Sequence, residues 1–188
     1  MPGTVAIVDY RATWPADFRR LATALRSAYG PAALQIDHIG STAVPGLPAK
    51  DVIDVQVTVA SLAACPEQLP GFESVPYLTD HAPPGFTGDP VELAKRYFRA
   101  APHSRPAHVH VREAGRLNQR YALLCRDYLR ATPDAAAAYA EVKRTLAAHF
   151  PDDGETYADV KDPVFDVLMA GAAAWARATG WTARATDA

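Results

Sequence analysis

The sequence has few cysteines, no long hydrophobic run and no excess of charge of either sign. Cys65 and Cys125 are its two cysteines, too few for a disulfide-dense secreted domain, and we expect two buried free thiols in a reducing compartment. No window reaches the roughly 18 apolar residues of a membrane span. The N-terminus also lacks the charged and apolar regions of a signal peptide. These absences predict a cytoplasmic protein that has no membrane partner.

The charge balance argues against a nucleic acid polymer as a partner. Lysine and arginine together number 19, aspartate and glutamate 21, and the net charge is −2, whereas a polyanion usually requires a strongly basic face. Only four of the basic residues are lysines, a bias that fits a GC-rich coding sequence. The hydrophobic fraction of 49% is that of an ordinary globular protein. At 188 residues we expect a single domain over 1–188.

The pattern of residue types along the chain changes near residue 112. The sheet-rich half, 1–112, alternates short β-branched runs with proline and glycine, whereas the half over 113–179 is helical almost throughout. Strands are predicted over 34–39, 52–59, 96–101 and 107–112. Helices are predicted over 15–29, 61–69, 116–130 and 133–150, and from 155 with a restart or kink at Pro163. A loop or flap is predicted over 77–90. The pattern indicates an α+β fold, a mixed sheet flanked by helices.

The most informative segment is residues 38–54, HIGSTAVPGLPAKDVID. A predicted strand ends at Gly40, which lets the main chain approach a ligand, and Ser41 and Thr42 add hydroxyl groups of the kind that hold a phosphate. Lys50 could add a positive charge. Asp51 and Asp54 are three residues apart on a strand, so only one of them can face the loop. The same pattern is also that of a tight turn before an aspartate at a strand edge.

The segment resembles the GrpB-like family, whose members carry His-Ile-Gly-Ser-Thr-x-Val-Pro-Gly-Leu-x-Ala-Lys, matched at residues 38–50. The resemblance continues through residues 96–98, 108–111 and 126–130 and covers about 5–175. The family looks like a branch of the nucleotidyltransferase superfamily and also occurs fused to dephospho-CoA kinase in bacteria. The resemblance therefore implies a nucleotidyltransferase-like fold in which Gly40 and Ser41 cradle a triphosphate and Asp54 binds a metal ion.

One position departs from the superfamily pattern of Asp-x-Asp. Gln56 stands where the second carboxylate is usual, and a neutral amide oxygen weakens a site for Mg²⁺. Asp51 could replace that carboxylate only if the strand is bulged or begins after it. His108 and His110 point to one face of a predicted strand. If that strand neighbours Asp54, two imidazoles and a carboxylate would suit Mn²⁺, Fe²⁺ or Zn²⁺; alternatively, the two histidines contact phosphate.

Basic residues of the second half are further candidates for anion binding. Arg126 and Arg130 are one helical turn apart and could grip one phosphate group, although an exposed ion pair with Asp127 is the commoner meaning of such spacing. The same two interpretations apply to Lys143 and Lys161.

The leading hypothesis is an enzyme that binds a nucleoside triphosphate and a divalent metal and acts on a small-molecule acceptor. Mg²⁺ or Mn²⁺ is the expected ion, with Zn²⁺ or iron as alternatives. Two other hypotheses stay open: a non-catalytic nucleotide- or ligand-binding module with a degraded metal site, and a His/His/Asp metalloenzyme of other chemistry. The catalytic and metal-binding candidates are Asp54, His108 and His110, and the phosphate-binding candidates are His38, Gly40, Ser41, Thr42, Lys50, Arg126 and Arg130.

Overall fold

A computed structural model describes residues 4–75, 79–80 and 82–184. Five strands precede three of the four helices in these residues, so the predicted α+β class with a helical C-terminal half is confirmed. The elements in chain order are α1 (Trp14–Tyr29), β1 (Ala33–Ile39), β2 (Ile53–Val59), β3 (Phe72–Val75), β4 (Arg96–Ala100), β5 (Ala107–Glu113), α2 (Leu117–Ala131), α3 (Pro133–His149) and α4 (Gly154–Thr179).

The strands form one mixed sheet in the order β1-β2-β5-β4-β3. The central pair, β2 and β5, is parallel, and the other neighbouring pairs are antiparallel. In the central pair Asp54 lies beside His108 and Gln56 beside His110. Because side chains alternate along a strand, these four residues share one face of the sheet.

The opposite face of the sheet is the main hydrophobic core. Alternate residues of β2 and β5, among them Val55 and Val109, are fully buried there against α1. The helix presents Trp14 and Phe18 to them, and Pro15 lies in its first turn, where the absent N–H costs no intrahelical hydrogen bond. Burial of this apolar area is the dominant stabilising contribution on this side.

Helices α2, α3 and α4 pack together beside the polar face of the sheet, around Cys125, Tyr139 and Met169. The predicted restart at Pro163 is wrong, because α4 continues through that residue. Val167, which the helical pattern places in the core, is instead 75% exposed. Among the described residues, no helix has both the length and the apolar character required to cross a membrane.

One predicted element is shorter in the structure, and one strand of the structure has no counterpart in the prediction. The helix predicted over 61–69 is only a 3-10 turn, Leu62–Ala64, because Pro66 and Pro70 interrupt any longer helix. Strand β3 was not predicted, since Glu73 and Ser74 are exposed on it and carry no alternating apolar pattern. The predicted loop over 77–90 lies partly outside the described residues. Cys65 and Cys125 are both buried free thiols, as predicted.

Candidate functional site

Asp54 lies in a cavity of about 520 Å³ between the polar face of the sheet and the helices that follow it. Its Oδ1 atom is 3.2 Å from His108 Nδ1 and 3.7 Å from His110 Nε2. One potential ligand atom from each of the three residues lies within 4.8 Å of the others. The sequence predicted that Asp54, His108 and His110 would be close together if the strand of the two histidines neighboured Asp54. The parallel pairing of β2 with β5 meets this condition.

The protonation states of this cluster suit a cation. Burial acts to raise the pKa of Asp54, but hydrogen bonds and charge interactions with His108 and His110 outweigh it and hold that pKa well below its usual range. Burial lowers the pKa of His110 to about 4, against the opposing effect of Asp54. An ionised carboxylate beside a neutral imidazole has the lone pairs that metal coordination needs. This donor set fits Mn²⁺, Fe²⁺ or Zn²⁺ better than Mg²⁺.

Gly40 is required where the backbone meets Asp54. Its φ of +70° is in the region that favours glycine. A Cβ atom there would overlap the Asp54 carboxylate and lie 2.9 Å from Asp54 Cβ. The next residues, Ser41–Ala43, form a 3-10 turn, and Ser41 and Thr42 line the cavity. The turn and the carboxylate are thus in direct contact, as the Gly-Ser-to-Asp pattern requires.

The structure does not bring His38 into this cavity. His38 pairs with Val55 in the sheet and therefore points to the α1 face, where its ring stacks on Phe18 at a centroid distance of 4.8 Å. Its Nε2 atom is 3.0 Å from Thr42 Oγ1, and the Thr42 hydroxyl donates to Val52 O at 3.3 Å. These contacts stabilise the turn from the α1 side of the sheet, opposite the cavity.

Among the described residues, no second carboxylate joins Asp54 in this cluster in place of Gln56. The Gln56 side chain is fully buried; its Nε2 donates to Gln119 O at 3.1 Å and its Oε1 accepts from Arg112 Nη1 at 2.7 Å. Asp51 precedes β2, so it does not share the face of Asp54. Its Oδ1 accepts hydrogen bonds from Trp14 Nε1 at 2.8 Å and Arg105 Nη2 at 2.5 Å. The carboxylate of the cavity floor is therefore Asp54, with two imidazoles beside it.

Comparison with known proteins identifies the family. The chain matches the family described as GrpB protein over residues 4–170. It belongs to the GrpB family. It is 40% identical over 195 residues to a dephospho-CoA kinase of Mycolicibacterium paratuberculosis, an alignment that covers 94% of this chain and 48% of that protein. A UPF0157 protein of Halalkalibacterium halodurans is 33% identical, with 88% of this chain and 81% of that protein covered.

The structural comparison agrees with this assignment. The crystal structure of the conserved protein GrpB from Enterococcus faecalis matches with a TM-score of 0.73 and 28% identity, covering 89% of this chain and 96% of that one. This GrpB-family chain spans about half the length of the dephospho-CoA kinases that it matches.

Arg126 and Arg130 bind the protein itself. Arg126 is buried; its Nε donates to Asp127 Oδ1 at 2.7 Å and its Nη1 to His38 O at 3.3 Å, and Nη1 lies 3.5 Å from Asp37 Oδ1. Arg130 Nε donates to Ala43 O at 2.9 Å. Both guanidinium groups thus hold β1 and the turn that follows it, a use that depends on how α2 packs and that helical spacing could not indicate.

Lysines provide the positive charge of the cavity. Lys50 lines it, with Nζ 4.1 Å from the centre of the Tyr157 ring, and burial lowers the Lys50 pKa. Sequence reasoning left Lys143 undecided, yet its Nζ donates to Ser41 Oγ at 3.0 Å. The scarcity of lysine in the sequence was the signal that could have singled out this residue.

Proposed function

We propose that this protein is a nucleotidyltransferase-like enzyme that binds a nucleoside triphosphate and a divalent metal ion in the cavity and transfers the nucleotidyl group to a small-molecule acceptor, with pyrophosphate as the leaving group. The observation that carries the proposal is the contact between the Gly40-Ser41 turn and an Asp54 carboxylate flanked by His108 and His110. A phosphate-binding turn that lies directly on a metal-binding carboxylate can place phosphate oxygens and a cation side by side.

Different residues of the cavity would bind the metal ion, orient the phosphate groups and neutralise their charge. Asp54, His108 and His110 would hold the ion, whose chemistry there is the stabilisation of charge on phosphate oxygens. The Ser41 hydroxyl and the backbone of its turn orient the phosphate groups, and Lys50 neutralises part of their charge. Positioning and charge stabilisation account for most of the catalysis in phosphoryl chemistry.

The rest of the cavity favours a small acceptor. An aromatic cluster of Tyr121, Tyr139 and Phe165 lines the part formed by the helices, with ring centroids 5.7 Å and 6.4 Å from Phe165. Such rings can pack against a base or an apolar acceptor group. A volume of about 520 Å³ is in the range of small-molecule sites. The net charge of −2 likewise disfavours a polymeric acceptor.

The decisive experiment compares Asp54→Asn with Asp51→Asn. Mn²⁺, Zn²⁺ and Mg²⁺ binding is measured by calorimetry, and nucleotide turnover is followed with a panel of nucleoside triphosphates. We expect Asp54→Asn to lose metal affinity by at least about tenfold, together with turnover, because it removes the charged ligand. Asp51→Asn, three residues away and bonded to Trp14 and Arg105, retains both if it stays folded. Unchanged metal binding in Asp54→Asn would reject the proposal.

A non-catalytic nucleotide-binding module is the second candidate, and Gln56 is the observation that favours it. Its amide is held by Gln119 and Arg112, so the cluster has one carboxylate where two-metal chemistry uses several. Nucleotide binding without turnover would support this candidate. Tight binding of a transition metal without any nucleotide affinity would instead support a metalloenzyme of other chemistry.

A further inference from the structure

The lysines of this chain are concentrated in one place. The sequence has four lysines against 15 arginines. All four lysines line the cavity, whereas only Arg112 and Arg126 of the arginines line it among the described residues. Arginine is therefore the commoner basic residue in the chain as a whole, whereas lysine is the commoner basic residue in the lining of this cavity. Lysine differs from arginine in being a compact cation that can lose its proton when it is buried.

Lys143 is the most deeply buried of the four, with 3% of its surface exposed. Its Nζ donates to Ser41 Oγ at 3.0 Å and to Pro48 O at 2.5 Å and lies 4.8 Å from the Tyr139 ring centre. Within the described residues it has no ion pair with a carboxylate. An ammonium group has three donors, so one N–H remains for a ligand beside Ser41.

Lys50 and Lys161 approach the same region from two other elements. Lys50 belongs to the segment between β1 and β2, and Lys161 belongs to α4, where its Nζ is 3.0 Å from Asp162 Oδ1. The positive charge of Lys161 lowers the pKa of both Lys50 and Lys143, after the larger effect of burial. The Lys161 ammonium group is therefore close enough to repel each of the other two, and the negative charge of a bound anion would offset this repulsion.

We propose that Lys50, Lys143 and Lys161 form with Ser41 an anion seat for the phosphate groups of a polyphosphate ligand, and that Lys143 takes up a proton when the seat is filled. The inference rests on the proposed function only for the identity of the ligand as a nucleotide. The seat itself needs neither a metal ion nor a base.

The proton comes from the solvent and forms an N–H bond on the neutral Lys143 amine. Burial, with a further contribution from Lys161, lowers the Lys143 pKa to about 7, so much of this amine is neutral at pH 8 before binding. The other groups that face it are Cys125 from α2 and Tyr139 from α3, and the exposed Arg144 guanidinium, which pairs with Asp9, has the smallest effect on its pKa. None of them is a carboxylate, and a polyphosphate would supply the missing negative charge that favours the protonated form.

The test is calorimetric titration with inorganic tripolyphosphate at pH 8 in the presence of a chelator, so that neither metal nor nucleoside contributes. We expect wild-type protein to bind the anion and Lys161→Met, at a position whose side chain is 25% exposed, to bind about tenfold more weakly. Lys143→Met should lose at least as much affinity. The matched control is Arg144→Met, the next residue on α3, whose guanidinium pairs with Asp9 at the surface and should not affect binding.

Proton uptake is measured by repeating the titration in two phosphate-free buffers of different ionisation enthalpy. Tripolyphosphate exchanges protons of its own, so the contribution of Lys143 is the difference between wild type and Lys143→Arg, which stays charged. We expect wild type to take up close to one more proton. Absence of tripolyphosphate binding, equal affinity of wild type and Lys161→Met, or equal uptake in Lys143→Arg would overturn the inference. The metal affinity of Asp54→Asn tests the proposed function separately.

Discussion

The face of the sheet that packs on α1 is apolar, whereas the opposite face, built from alternate residues of the same strands, is lined with charged and polar groups. In β2, Val55 and Val57 point to α1, and Asp54 and Gln56 point to the cavity. On the α1 side the residues exclude water and fill space. On the cavity side many polar groups bind one another: Asp80, for example, accepts from Lys95 at 2.5 Å.

The difference separates stability from function within single strands. The α1 face stabilises the fold through burial of apolar area. The cavity on the opposite side is lined by Lys50, Lys143 and Lys161, and burial of such charged groups costs stability; in our proposal their positive charge binds an anion. His38 is the informative exception, because it is a polar residue on the apolar face and there stacks on Phe18 and holds the turn.

The largest effect should come from the apolar face. Phe18→Ala removes a ring that is 2% exposed and should reduce the free energy of unfolding by about 3–5 kcal/mol, measured by urea denaturation. Val167→Ala on α4, at a position that is 75% exposed, should change it by less than about 0.5 kcal/mol. Similar losses in the two variants would contradict the assignment of the main core to the α1 face.

The α1 face could be predicted from the sequence because its signals are local. The β-branched run of β2 and the apolar spacing of α1 each indicate their own structure within a few residues. The cavity face depends on partners distant along the chain. His108 lies beside Asp54 because β2 and β5 pair in parallel, and no local sequence pattern determines that pairing. The sequence therefore predicted the proximity only on the condition that the two strands are neighbours.

The same limit applies to basic residues whose contacts the sequence could not indicate. Arg126 and Arg130 have the spacing of an anion clamp, but the packing of α2 against β1 turns them towards His38 O and Ala43 O. The position of Lys143 on α3 does not by itself indicate a role. Lys143 contacts Ser41 because α3 packs beside the turn after β1. A helical wheel gives the direction of a side chain relative to its own axis and says nothing about the element that it meets.

A smaller effect is expected where the two faces meet, at the turn after β1. Gly40 and Gly46 both have positive φ, +70° and +78°, and alanine should cost roughly 1–2 kcal/mol at each. A Cβ at Gly46 meets nothing within 4 Å, whereas one at Gly40 overlaps Asp54. Gly40→Ala should therefore be the more destabilised in urea denaturation and should alone weaken metal binding. Equal losses of metal affinity would show that the contact with Asp54 is not needed.

A pH dependence that belongs to the cavity is also expected, and within any single pH unit it is no larger than the effect at the turn. The Lys143 pKa is lowered to about 7 by burial and by Lys161, whereas in the unfolded chain it returns to about 10.4. Between these values the unfolded chain binds more protons, so stability rises with pH. The free energy of unfolding of wild type, relative to that of Lys143→Met, should increase by at most about 1.4 kcal/mol for each pH unit from pH 7 to 9. It should not change below pH 6.

This dependence is measured as the difference in unfolding free energy between wild type and Lys143→Met at each pH, which cancels groups that titrate alike in both. Leu25→Ala on α1, at a position that is 2% exposed in the same core, provides the comparison from the other face: its free-energy difference from wild type should be constant over the same range, since no titratable group is removed. A flat difference for Lys143→Met would mean that the amine stays charged in the empty cavity. Burial and the charge of Lys161 would then be too weak to make anion binding take up a proton at Lys143.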